Sequence, residues 1–227
     1  MSSGRVLFVG CGPGAADLLT LRAVRALAAA DIVIWNAVLL DREALSAHVR
    51  ADAEILEWPP ATQRDIERAF DRAAVERLLV VRLKGGDPTL FGALEPELSG
   101  ARGRGLACEI VPGVSALAAG CAALGRELPE REHALLLIDA HQLVSDDATP
   151  SSEPAPTAIA VHGTTRNPRA LQHALLARGL DAGAPCAVAI DVSRADEALV
   201  RCTLEDLAET IEDMAMGALT IVVAGMS

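Results

Sequence analysis

Short apolar runs that stop abruptly at glycine constrain this chain more than any other feature. Arg5 to Val9, RVLFV, ends at Gly10; Leu78 to Leu83 ends in Lys84-Gly85-Gly86-Asp87-Pro88; Glu109 to Val111 ends at Pro112-Gly113. Runs this short and this largely apolar suit strands buried on both faces. IVIW after Asp31 and Glu54–Leu56 read the same way. Between them lie stretches of helical period. In Asp17–Ala30, DLLTLRAVRALAAA, the residues Leu18, Leu21, Val24 and Leu27 recur on one face, and the alanines favour helix. TQRDIERAFDRAAVERL is a second such stretch. Strands alternating with helices predict an α/β fold with a parallel sheet covered on both faces.

The second half repeats the style. Strands are expected in ALLLID, TAIAV, CAVAI and LTIVVAG, and helices in VSALAAGCAALG, PRALQHALLARG and LEDLAETIEDMA. A boundary at Pro112-Gly113 predicts two α/β domains, 1–112 and 113–227. VSDDATPSSEPAP, from Val144 to Pro156, is a surface loop or an active-site flap, because its composition packs poorly.

Composition excludes several functions. The 227 residues are 51% hydrophobic but only 2% aromatic, with no tyrosine, so the core must be aliphatic. A formal charge of −11 and scarce aromatics argue against nucleic acid, which needs basic surface and stacking rings. Cys11, Cys108, Cys121, Cys186 and Cys202 are scattered, odd in number and without a C-x-x-C pair. His48, His133, His141, His162 and His173 lack ligand spacing. No disulfide framework and no metal are expected, and a reducing cytoplasm fits. No membrane association is expected either, since the start lacks a signal sequence and no apolar run reaches the ~20 residues of a spanning helix.

The glycine loops are the candidates for chemistry. Gly10-Cys11-Gly12-Pro13-Gly14 fails the dinucleotide fingerprint because its third glycine comes too early, and no G-x-x-x-x-G-K-[ST] loop exists. Each loop taken alone is either a tight turn or a place where backbone approaches a ligand. Three such loops at strand ends, the third being Pro112 to Ala116, imply one extended small-molecule site. Leu90 and Phe91 supply an apolar wall to it. His141, at a strand end, is either a titrating group there or a bystander, and Cys11 reads as a packing residue rather than a reactive thiol.

VGCGPGAADLLTLRAVRAL, VVRLKGGDPTLFG and EIVPGVSALAAGCAALG together resemble the three signature blocks of the tetrapyrrole methyltransferases. APCAVAIDVSRADEALVRCTLEDL resembles that family's late strand-turn-strand block. The resemblance implies two α/β domains of the tetrapyrrole methylase type, not a Rossmann methyltransferase, with the cofactor in the cleft between them. It also implies a homodimer that uses S-adenosylmethionine, releases S-adenosylhomocysteine and methylates a ring carbon on the route to sirohaem or cobalamin. By residue matching, Gly85, Gly86 and Asp87 line the methionine part of the cofactor, Leu90, Ser115 and Ala116 touch it, and Pro13 lies near it. His162 falls beside the adenosine, and Ala189 and Val192 fall in the block that closes over the adenine. RLKGGDP and GRELPEREHALLLIDAH resemble the uroporphyrinogen-III methyltransferases, which makes Arg131 and Lys84 candidates for gripping substrate carboxylates. GDPTLFGALEPEL and LGREL echo the precorrin enzymes, precorrin-4 methyltransferases included.

Two positions depart from the family pattern. Gly12-Pro13-Gly14-Ala15 has alanine where an aspartate is usual, unless Asp17 substitutes, and the second strand ends in Trp35-Asn36 rather than Tyr-Asp. Three readings follow: a tetrapyrrole C-methyltransferase, a non-catalytic homologue that keeps the cofactor cleft, or a methylase acting on another substrate. In the first, catalysis comes mainly from holding carbon, methyl and sulfur in line. No residue is assigned as the base. Arg22, Arg25, Arg82, Lys84 and Arg131 are the cations available for a substrate rich in carboxylates.

Overall fold

A computed structural model of the chain describes residues 3–127, 134–144, 158–163, 167–214 and 220–224. The chain divides into two units, Met1–Ser115 and Ala116–Ser227. Arg131, His133 and most of the Ser/Pro-rich segment lie outside the described residues.

The first unit carries β1 (Arg5–Gly10), α1 (Leu21–Ala29), β2 (Ile32–Trp35), α2 (Arg42–Ser46), β3 (Glu54–Glu57), α3 (Gln63–Glu76), β4 (Leu79–Lys84), α4 (Leu94–Gly103) and β5 (Ala107–Val111). Its strands form one all-parallel sheet in the order β3-β2-β4-β1-β5. The central strands β1, β2 and β4 are mostly apolar because both faces are covered. Leu7, Val9, Val33 and Val81 pack on one face with Ala23 and Leu27 of α1. Val6, Phe8, Ile32 and Val80 pack on the other with Ile66 and Phe70 of α3 and Leu98 of α4. Short polar residues start the helices. Thr20 Oγ1 accepts from Ala23 N at 3.1 Å, and Thr62 N donates to Asp65 at 2.8 Å.

The second unit carries α5 (Ala116–Leu124), β6 (Leu135–Asp139), α6 (Ala140–Val144), β7 (Ala158–His162), α7 (Pro168–Ala177), β8 (Pro185–Ile190), β9 (Ala198–Thr203), α8 (Leu207–Asp213) and β10 (Thr220–Ala224). Its sheet runs β6-β7-β10-β8-β9. Here the expectation of a parallel sheet needs correction. Only β6 and β7 pair in parallel, whereas β10 runs antiparallel to both β7 and β8, and β8 antiparallel to β9. The segment from Asp191 to Glu197 is too short for a crossover helix, so β9 must return as a hairpin partner of β8. Ile159, Val161, Val188, Ile190 and Val222 form this core with Leu171 and Leu175 of α7 and Leu207 and Ile211 of α8. Among the described residues, no helix is long and apolar enough to cross a membrane.

Candidate functional site

The order β4-β1-β5 brings the three glycine loops together. These strands are adjacent and parallel, so their carboxyl ends open at one edge of the sheet. Gly86 N donates to Gly12 O at 2.8 Å, and Gly12 N donates to Gly86 O at 3.3 Å. A Cβ on Gly10 would lie 2.5 Å from Gly86 O and 2.7 Å from Gly113 Cα. Gly86 itself takes a left-handed φ of 58°. The three loops thus form one backbone knot that side chains at Gly10 or Gly113 would force apart.

Asp87 fastens the knot. Its Oδ1 accepts from Thr89 N at 2.8 Å and from Thr89 Oγ1 at 2.6 Å, closing a local turn. Its Oδ2 accepts from Gly113 N at 3.2 Å, reaching the loop after β5. These are the contacts of a group that orients loops. Pro13 is buried, and Gly85 is half-buried with Leu39 beside it. Leu90 is exposed, Ser115 is half-buried, and Ala116 is buried at the start of α5. Asp17 is exposed in a single 3-10 turn, Ala16–Leu18. Asn36 Oδ1 accepts from Val38 N at 2.8 Å, so this side chain closes the turn after β2.

Lys84, expected to grip a substrate carboxylate, already has a carboxylate partner within the fold. It is buried, and its Nζ donates to Glu97 Oε1 at 2.8 Å. Arg82, two residues earlier on the same face of β4, donates to both oxygens of Glu97 at 2.8 and 3.1 Å. Two cations therefore share one carboxylate on α4. Burial pushes the Glu97 carboxyl up, but the hydrogen bonds and charges of Arg82 and Lys84 prevail and hold it below its ordinary value. Burial pushes Lys84 down, and its half-share of Glu97 does not restore it.

In the second unit, His162 ends β7 opposite Asp139 on β6. Burial lowers its pKa, and the nearby Asp139 charge opposes that shift. Ala189 and Val192 are buried, and a Cβ on Gly120 of α5 would lie 3.6 Å and 3.9 Å from them. Asp191 and Ser193, on either side of Val192, adopt left-handed φ values of 45° and 69°. No sequence signal marked these two, nor Phe91 and Ala93 at φ 56° and 44° in the loop after Asp87. The spacing Asp87-x-Thr89 did carry a signal, that of an Asx turn, while the tie to Gly113 had none. A cavity of about 90 Å³, lined by Cys121, Leu124, Arg126, Arg201 and Val223 among others, contains none of the expected cofactor residues.

The polar groups at the knot are backbone amides, which donate, and backbone carbonyls, which accept, beside apolar side chains. Such a set fits a ligand with a zwitterionic amino-acid end and an apolar middle, which S-adenosylmethionine has. Comparison with known proteins agrees. Residues 5–208 match the model of the Tetrapyrrole (Corrin/Porphyrin) Methylases. Siroheme synthase 1 of Klebsiella pneumoniae is 31% identical over 97% of this chain and 48% of its own length. The chain thus spans about half the length of the curated relatives it matches first. Precorrin-4 C(11)-methyltransferase of Rhodococcus erythropolis is 30% identical, over 97% of this chain and 90% of that protein. Uroporphyrin-III-C-methyltransferase of Thermus thermophilus superposes with a TM-score of 0.81 at 28% identity, over 98% of this chain and 94% of that one. The same enzyme complexed with S-adenyl homocysteine superposes at 0.76 and 29% identity, over 96% of this chain and 97% of that one. The failed dinucleotide fingerprint, the knot of three glycine loops and these likenesses have one common explanation: the chain belongs to the tetrapyrrole (corrin/porphyrin) methylases.

Proposed function

We propose that this chain is an S-adenosylmethionine-dependent C-methyltransferase acting on a tetrapyrrole, with uroporphyrinogen III, on the route to sirohaem and cobalamin, as its foremost candidate substrate. The observation that carries the proposal is the glycine knot held by Asp87 at the carboxyl ends of β4, β1 and β5. In the first unit, Pro13, Gly85, Gly86, Asp87, Leu90 and Ser115 are the proposed cofactor residues. In the second they are Ala116, His162, Ala189 and Val192. Arg131 is the proposed grip on a substrate carboxylate. A precorrin-4 substrate is the second reading, favoured by the near full-length match to the Rhodococcus enzyme.

When bound, S-adenosylmethionine supplies a methyl group on a sulfonium, already activated for attack by an electron-rich pyrrole carbon. The chain contributes position. The backbone at Gly85 and Gly86 lines the aminoacyl end, with the Gly86 amide itself held by Gly12 O, and Asp87 fixes the direction of the loop through Thr89 and Gly113. Alignment of the reacting atoms is worth far more than any single contact. The active form is proposed to be a cytoplasmic homodimer, hiding ~1,200–2,000 Å² at its interface.

The test is calorimetry with S-adenosylhomocysteine, then mass spectrometry of uroporphyrinogen III and precorrin-4 incubated with S-adenosylmethionine. Cofactor binding with transfer of whole methyl groups supports the proposal. Binding without methylation of either substrate identifies a non-catalytic homologue, and absence of binding removes the proposal. In sedimentation at micromolar concentration, a single species at the 23.6 kDa chain mass would refute the dimer.

A further inference from the structure

Of its five aromatic rings this chain buries three and half-buries a fourth, Trp58. It has three phenylalanines and no tyrosine. Phe8 and Phe70 are fully buried and meet edge to face, with centroids 6.4 Å apart, and Trp35 is 1% exposed. Phe91 breaks the pattern at 38% exposed. It also holds a left-handed φ of 56°, a conformation unfavourable for a bulky side chain. Ala93 repeats that feature, and a Cβ on Gly92, between them, would strike the backbone of Pro88. The loop after Asp87 is therefore folded tightly in a form that leaves an aromatic ring partly in water.

The same edge of the sheet exposes other apolar groups. Leu90 is 39% exposed, and Val38, in the turn after β2, is 49% exposed. β2 and β4 are adjacent and parallel, so their end loops lie side by side. They also touch, because a Cβ on Gly85 would lie 2.8 Å from Leu39 Cδ2. Asp87, which fastens the glycine knot, is four residues before Phe91. The apolar edge is thus continuous with the knot. A tetrapyrrole offers a wide apolar face with its carboxylates around the rim, and a ring beside small aliphatic groups is the surface that such a face covers.

We propose that Phe91, with Val38 on the neighbouring loop, forms the apolar platform under the tetrapyrrole macrocycle, and that Phe91 determines affinity for its face. The proposal rests on the reading of the chain as a tetrapyrrole methyltransferase. The full chain is compared with Phe91→Asn and Phe91→Tyr. Asparagine tolerates the left-handed backbone but removes the ring; tyrosine keeps the ring. Uroporphyrin III binding is followed by porphyrin fluorescence, and S-adenosylhomocysteine binding by calorimetry. Phe91→Asn is expected to weaken porphyrin binding by about tenfold to a hundredfold, the equivalent of losing one buried aromatic contact. Phe91→Tyr should stay within about threefold, since it keeps the apolar face. S-adenosylhomocysteine affinity should not change in either. Porphyrin binding by Phe91→Asn as tight as by the parent overturns the proposal. So does a parallel loss of S-adenosylhomocysteine binding, which would mark Phe91 as a structural part of the loop. A parent that binds S-adenosylhomocysteine but no porphyrin removes the uroporphyrinogen III reading, and the platform with it.

Discussion

Replacing Asp87 with alanine removes three hydrogen bonds of unequal worth. The two to Thr89, at 2.8 and 2.6 Å, close a turn at an exposed residue, where water replaces them readily. Each is taken at the low end of a net hydrogen bond, about 0.5 kcal/mol. The bond to Gly113 N, at 3.2 Å, is partly buried and spans two loops. A charged acceptor makes such a bond worth about 1.5–3 kcal/mol, and its length favours the lower figure. Its loss frees the Gly86 loop from the loop after β5, so the bound geometry must be ordered by the cofactor. At 1.4 kcal/mol per decade, S-adenosylhomocysteine binding should weaken by about tenfold to a hundredfold, and the stability of the first unit should fall by about 2–3 kcal/mol. Thr89→Val is the control: it removes only the hydroxyl bond and should change binding by less than about threefold. Calorimetry gives the affinities and urea unfolding the stabilities. An Asp87→Ala protein that binds S-adenosylhomocysteine within twofold of the parent would refute the role of the tie to Gly113.

Glu97→Gln leaves Arg82 and Lys84 buried without their anion and should destabilise by about 3–5 kcal/mol in urea unfolding. The folded Glu97 value lies below 4.5, so its stabilisation is complete above pH 4.5 and is lost as pH falls through the folded value; the variant should lack that acid slope. The folded Lys84 value lies below 10.5, so the unfolded chain binds more protons between the two values, and Lys84 should make stability rise with pH across that window. Gly10→Ala forces a methyl group against Gly86 O and should destabilise by about 1–3 kcal/mol while weakening S-adenosylhomocysteine binding by more than about tenfold; a variant with parent-like urea midpoint and affinity would show that the knot yields without consequence.

The local pattern by itself determined nine of the ten described strands, most of the described helices and the three loops; β9 was legible only through the family's strand-turn-strand block. RVLFV and LVVRL are covered on both faces, so their residues are apolar except for Arg5 at the exposed start of β1 and Arg82, which α4 pairs with Glu97, and glycine follows where backbones converge. Such constraints act within a few residues and are written in one stretch of chain. What joins distant stretches was decided only by the tertiary structure. The placement of β10 between β7 and β8, which makes the second sheet mixed, depends on which apolar strand reaches which edge, and TIVVA looks the same in either direction. Lys84 reads as a free cation until α4 brings Glu97 over β4, 13 residues on. Asp87 reads in the sequence as lining the methionine part of the cofactor; its tie to the third loop depends on β5 lying beside β1, which puts Gly113 N within reach. Phe91 read as part of an apolar wall, but its left-handed backbone and partial exposure follow from Gly92 packing on Pro88, a contact that no periodicity encodes. Periodicity reports how much of each residue is covered; only the folded chain specifies which residue covers it.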